Sequence, residues 1–181
     1  MNMHFNKRDK VEIFENAISW IVVFAMFVYG GAKLIQFQGA AELEKSVSEM
    51  TGMEMMWAFY GYSQSFAITL GILEILGGVL ILIKKTRILG CLLTSTILVN
   101  VIIQDIYFEV HLGALKAAIL YQLLILIIFW LNRRKVLQAL KILLQLTKRE
   151  ESFAKLATKL GIAFILFLAL RVGEYLITIK I

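Results

Sequence analysis

The chain has 181 residues, 60% of them hydrophobic, with a formal net charge of +6 and a mean hydropathy of +0.79. Soluble domains are only about 45–50% apolar, so this composition excludes an ordinary soluble globule, and recurring apolar runs of about 18 residues or more place the chain among multi-pass membrane proteins. The basic residues sit beside the apolar runs, where they set topology; the charge is not a nucleic-acid footprint, and no nucleic-acid partner is expected.

The sequence contains no proline, against about 9 at average usage, which suits long helices that never need to break. Strand-type alternation does not extend beyond a few residues, arguing against a membrane barrel. The single cysteine, Cys91, excludes an internal disulfide and reads as a small helix- or lipid-facing residue. His4 and His111 lack metal-ligand spacing.

Residues 1–15 are polar and carry Lys7, Arg8 and Lys10; the first apolar run is Ile18 to Phe37. A signal peptide is the competing reading, but the run is too long and lacks a small-residue cleavage site. The following segment, 38–62, is acidic on balance, through Glu42, Glu44, Glu49 and Glu54 against Lys45. Ala40 to Met56 is read as an amphipathic helix on the membrane, and Trp57, Phe59, Tyr60 and Tyr62 as an interfacial aromatic belt. Met50, Met53, Met55 and Met56 cluster here; thioethers can hold Cu(I), but without a nearby Cys or His adaptable packing is the better account.

The second span is Phe66 to Ile83, and its short basic turn, Lys84-Lys85-Thr86-Arg87, predicts an antiparallel third span from Ile88 to about Ile106. A loop with Glu109, His111 and Lys116 leads to a fourth span, Ala117 to Leu131. In residues 133–160, Val136, Leu137, Leu140, Leu143, Leu144 and Leu146 recur at helical spacing, with Lys135, Gln138, Lys141, Gln145, Lys148 and Arg149 between them. That is a basic amphipathic helix for an anionic leaflet. The last apolar run, Leu160 to Ile179, is a fifth span containing Arg171 and Glu174. The N-terminus, the basic turn and residues 132–160 hold 3, 3 and 8 lysines and arginines, whereas Lys45, Lys116 and Lys180 fall on the other side. The positive-inside rule then places the N-terminus in the cytoplasm and the C-terminus outside.

Ionisable groups inside spans are costly and mark functional sites. Glu74 lies about 16 Å from the outer end of the second span, near mid-membrane, and Arg171 about 12 Å from the outer end of the last. Lys33 and Glu174 sit about 6–8 Å deep, and Asn100, Gln104 and Gln122 also fall in outer halves. Ala67, Gly71, Glu74 and Gly78 share one stripe, whose small residues admit a neighbouring helix; Gly30 and Lys33 share another, and Thr96, Asn100 and Gln104 a third. These residues predict a polar pocket open to the outside above an apolar floor, rimmed by Tyr29, Tyr60 and Tyr62. Glu74 is expected to pair with Arg171 or Lys33, and Glu174 with Lys33 or, at i,i+3, with Arg171. Alternatively these groups only hold helices together, since interhelical polar contacts are common.

Tyr29-Gly-Gly-Ala-Lys-Leu34, the glycine-flanked glutamate run Leu70 to Leu82, the basic turn Lys84 to Gly90, and more loosely Asn100-Val101 and Tyr107 resemble the DoxX and DoxX-like membrane family over residues 16–131. The resemblance implies an all-α, four-helix bundle in a bacterial cytoplasmic membrane, with Lys33 and Glu74 at motif positions. Some members are the small subunit of a thiosulfate:quinone oxidoreductase, and others are linked to oxidative stress. The expected organisation is a four-span bundle over 1–131, the basic interfacial helix over 132–159 and a fifth span over 160–181 that goes beyond the family unit.

No nucleophile–base pair, metal cluster or nucleotide loop is evident, so no reaction is assigned. The leading reading is an accessory or assembly protein that binds lipid or another membrane protein. The second is a membrane subunit working on quinone, its electrons supplied by a redox partner. The third is a transporter using Glu74, against which stand the lack of proline-broken spans and of an inverted repeat.

Overall fold

A computed structural model describes residues 6–144 and 152–178. The protein is all-helical over these residues. Its helices are α1 (Lys7–Ala32), α2 (Gly52–Tyr62), α3 (Gln64–Leu82), α4 (Arg87–Tyr107), α5 (Leu112–Leu131), α6 (Arg133–Leu144) and α7 (Phe153–Thr178). Five of them, α1, α3, α4, α5 and α7, are long and apolar enough to cross a membrane. Among the described residues, those up to Leu140 form one compact unit and those from Lys141 onward another.

In the first unit α1 packs against α3 and α5, and α4 packs against the same two helices. The result is a four-helix ring in the order α1, α3, α4, α5. Its core joins Ile18, Val22 and Met26 of α1 to Ile81 of α3, Cys91 and Leu98 of α4, and Ala118, Ile125 and Ile128 of α5. Gly30 and Gly71 set the closest approach: a Cβ on Gly30 would lie 2.6 Å from the carbonyl oxygen of Gly71. Only a pair of bare backbones fits there.

The ends of the spans differ from the hydropathy reading because polar residues set them. α1 starts at Lys7, not at the first apolar residue, since Asn6 and Asp9 form a reciprocal capping box with both bonds at 2.9 Å. It stops at Ala32, short of the expected Phe37, because the N–H groups of Leu34, Ile35 and Gln38 turn back in i→i+3 bonds and Gly39 takes a left-handed φ of 74°. α5 begins at Leu112, five residues before the expected Ala117, because His111 Nδ1 accepts the Gly113 N–H at 3.1 Å as an N-cap. Lys116 is therefore helical and not in a loop.

The expected amphipathic helix over Ala40–Met56 is not present. That stretch holds two single-turn 3-10 helices, Ala40–Glu42 and Val47–Glu49, and the true helix, α2, starts at Gly52. Thr51 and Glu54 explain the shift: the Thr51 hydroxyl accepts from Glu54 N–H at 3.2 Å and the Glu54 carboxylate accepts from Thr51 N–H at 2.9 Å. α2 also seats against the α4–α5 turn through Gly52, where a Cβ would meet the Phe108 carbonyl oxygen at 2.6 Å.

Lys45 bonded to Glu54 at 2.6 Å, together with the Thr51 donors, holds the Glu54 carboxyl well below its ordinary 4.5, at about 2. A depressed carboxylate contributes above its unfolded value and loses that contribution as pH falls through its folded value. The start of α2 should therefore stay capped from neutral pH to below 4.5 and loosen as pH falls through about 2. Deuterium exchange at residues 53–55 tests this. Glu54→Gln should exchange faster at neutral pH and lose the acid dependence; unchanged exchange would remove the cap from the account.

In α6, Leu137, Leu140 and Leu144 alternate with Lys135, Gln138 and Lys141 at helical spacing. Gln145, Leu146, Lys148 and Arg149, expected to continue this helix, lie outside the described residues, as do His4 and Lys180. α7 begins at Phe153, ahead of the expected Leu160, since no residue between them breaks a helix. On it, Arg171 and Glu174 pair with each other at i,i+3.

Candidate functional site

α2 and the ends of α1, α3, α4 and α5 nearest to it enclose a cavity of about 490 Å³. Gly71 lets the stem of Lys33 lie against α3, with Lys33 Cβ 3.0 Å from the position a Gly71 Cβ would take. One turn on, Glu74 is 4% exposed, and its Oε1 lies 3.7 Å from Lys33 Nζ. The ammonium also donates to Gln36 Oε1 at 3.2 Å and sits 5.5 Å from the centre of the Phe37 ring. Of the two partners the sequence offered Glu74, it pairs with Lys33. Its second oxygen, Oε2, is buried and accepts no hydrogen bond.

α4 supplies the facing wall. Thr96, Asn100 and Gln104 all line the cavity, as their shared stripe predicts. Tyr60 of α2 donates to Gln104 Oε1 at 2.6 Å, and Gln104 Nε2 donates to Asn100 Oδ1 at 2.6 Å. This chain of side chains fastens α2 to α4. Burial pushes the Tyr60 phenol above its ordinary value, so it remains a neutral donor.

The aromatic residues sort differently from the belt expected of them. Tyr60 is buried and stacks on Phe37 with ring centres 4.9 Å apart, and Trp57 lines the cavity with it. Tyr62, expected at the rim, is 87% exposed and is not part of the wall; two residues past Tyr60, the last buried residue of α2, it faces away. Tyr29 and Tyr121 meet edge to face at 6.1 Å on the α1–α5 side. Met53 and Met56 also line the cavity.

Two further residues change the reading. Gln122 does not line the cavity; its amide donates to Ser95 Oγ at 2.8 Å and ties α5 to α4. Asp105, which the stripe of polar residues on α4 did not include, lines the cavity and is 6% exposed, and its Oδ2 has no hydrogen-bond partner. Its signal was its register with Thr94 and Leu98, the buried face of α4. Among the described residues no cluster of three or more His, Cys, Asp or Glu is placed to hold a metal.

Glu74→Gln should lower thermal stability in detergent by about 1–2 kcal/mol, the range of interhelical polar contacts, because Lys33 is left without its counter-ion. Lys33→Met combined with Glu74→Gln should recover part of the loss. An unchanged melting curve for the single variant would show that the pair contributes nothing.

A ring of apolar helices around a chamber with a buried lysine–glutamate pair is the build of a multi-pass membrane protein. No family model matches the chain, and no solved structure matches it. It is 34% identical over 115 residues to a Bacillus subtilis (strain 168) protein described as "Uncharacterized protein YwoB", across 63% of this chain and 73% of that protein. The chain belongs to the family of that protein.

Proposed function

We propose that this protein is a small-molecule-binding bundle of the DoxX-like type, set in a bacterial cytoplasmic membrane with its N-terminus in the cytoplasm and its C-terminus outside. It holds a lipid or other amphiphile in an outward-facing chamber as an accessory to another membrane protein. The observation that carries the reading is the cavity of about 490 Å³. Its volume falls within the range of small-molecule sites, about 300–1,000 Å³, which are mostly apolar with a few placed polar groups. Here those groups are Lys33, Glu74, Asn100, Gln104 and Asp105. The lysine and arginine distribution supports the orientation, and α6 would rest on the anionic cytoplasmic leaflet.

Tyr29, Trp57, Tyr60 and Tyr121 in the wall favour a second reading, a quinone head group held between rings. In that case a redox partner supplies the electrons.

The test is to purify the protein from native membranes in mild detergent, identify co-purifying lipids, quinones and polypeptides by mass spectrometry, and compare Ala118→Phe. Ala118 is buried and lines the cavity, so the larger ring fills it. A stoichiometric amphiphile missing from Ala118→Phe supports the reading, and a quinone in that role selects the second version. Identical bulk lipid in both preparations would sink both.

A further inference from the structure

We infer that the occupant of this cavity carries a positive charge, and that Asp105 is the residue that receives it: the ligand is an amphiphilic or aromatic amine in its protonated form. The inference rests on the cavity reading above and adds the chemical class of the ligand.

Three observations carry it. First, the charges lining the chamber do not cancel. Lys33 is its one lysine or arginine among the described residues, while Glu74 and Asp105 are both carboxylates. Secondly, Lys33 is committed. It faces Glu74 at 3.7 Å and donates to Gln36 at 3.2 Å; its charge reaches Asp105 only at longer range, which leaves Asp105 as the acid in the wall without a close ion pair among the described residues. Asp105 is more than nine-tenths buried, and its Oδ2 meets no donor. A buried carboxylate without a close counter-charge is an unfavourable arrangement that a bound cation relieves. Thirdly, Tyr29, Trp57 and Tyr121 line the same chamber. Aromatic faces attract ammonium groups, most strongly where water is excluded, and would hold the carbon part of an amine. An anionic head group finds no such welcome, because the one ammonium present already has its counter-ion.

Three probes of equal ring size separate charge from fit: benzylammonium, benzyl alcohol and benzoate. Trp20 and Trp130 are 60% and 68% exposed, so Trp20→Phe and Trp130→Phe leave Trp57, in the cavity wall, as the sole indole reporter. In nanodiscs of zwitterionic lipid, benzylammonium should perturb Trp57 fluorescence at about tenfold lower concentration than benzyl alcohol, a difference of one decade in Kd, with benzoate weakest. Asp105→Asn, nearly the same in shape, should bring benzylammonium level with benzyl alcohol. Equal or stronger binding of benzyl alcohol or benzoate by the wild-type wall overturns the charge assignment and leaves the cavity reading standing. A cation preference that survives Asp105→Asn overturns the role of Asp105. Silence from all three probes overturns the cavity reading, and this inference with it.

Discussion

Arg87→Met should destabilise the bundle by about 3 kcal/mol or more, the cost of removing one partner from a buried ion pair. Arg87 is 3% exposed at the start of α4. Its Nη1 donates to Glu15 Oε1 and its Nη2 to Asn16 Oδ1, each at 2.9 Å, while Nε donates to the Ile81 carbonyl at 3.1 Å. One guanidinium thus joins α1, the end of α3 and the start of α4. Beside it, Lys84 pairs with Glu12 on the surface, where exposure makes the contact worth little. Methionine would keep the apolar stem, lose all three bonds and leave Glu15 unpaired. Lysine would restore the charge without the fork, and should recover only part of the loss. Thermal melts in detergent decide the matter. If Arg87→Met melts with the wild type while Lys84→Met does not, the roles of the two cations are reversed.

Gly30→Val and Gly31→Val should behave oppositely, although they are neighbours. A Cβ at Gly30 would meet the Gly71 carbonyl oxygen at 2.6 Å and Ile75 Cγ1 at 2.8 Å, whereas nothing lies within 4 Å of one at Gly31. The first substitution forces α1 and α3 apart, and overpacking of this kind costs about 1–3 kcal/mol even when the surroundings yield. A backbone carbonyl cannot rotate away as a side chain can, so the effect should reach the top of that range and expose the loops to protease. The second should leave stability within about 0.5 kcal/mol, as for surface positions without special contacts. Equal protease resistance of the two variants would mean that the α1–α3 contact is not as close as described.

The membrane class was legible because a span needs only length and hydropathy, and both are local properties. Glu74 was legible for the same reason: a lone carboxylate among glycines on one helical stripe has few places to point. Its partner was half legible, since opposite charge offered both Lys33 and Arg171, and only the packing of Lys33's stem over Gly71 distinguishes them. α2 was misplaced because aromatic content and amphipathic spacing outweighed a local signal that was present, the Thr51–Glu54 capping pair. By sequence Arg87 is a topology marker like Lys84 and Lys85; its inward turn depends on Glu15 and Asn16, about seventy residues earlier, and no periodicity reports that. Asp105 was hidden by lying next to Gln104, on the neighbouring face of the same turn.

Cys91 has a practical consequence. It is the only thiol in the chain and is wholly inaccessible in the core between helices of the ring. A maleimide added to the folded protein has nothing to react with until the bundle opens. When reaction outpaces reclosing, the labelling rate equals the opening rate; when it is slower, the rate reports the population of the open state. The sequence thus carries its own reporter of kinetic persistence, readable in intact membranes without a purified sample.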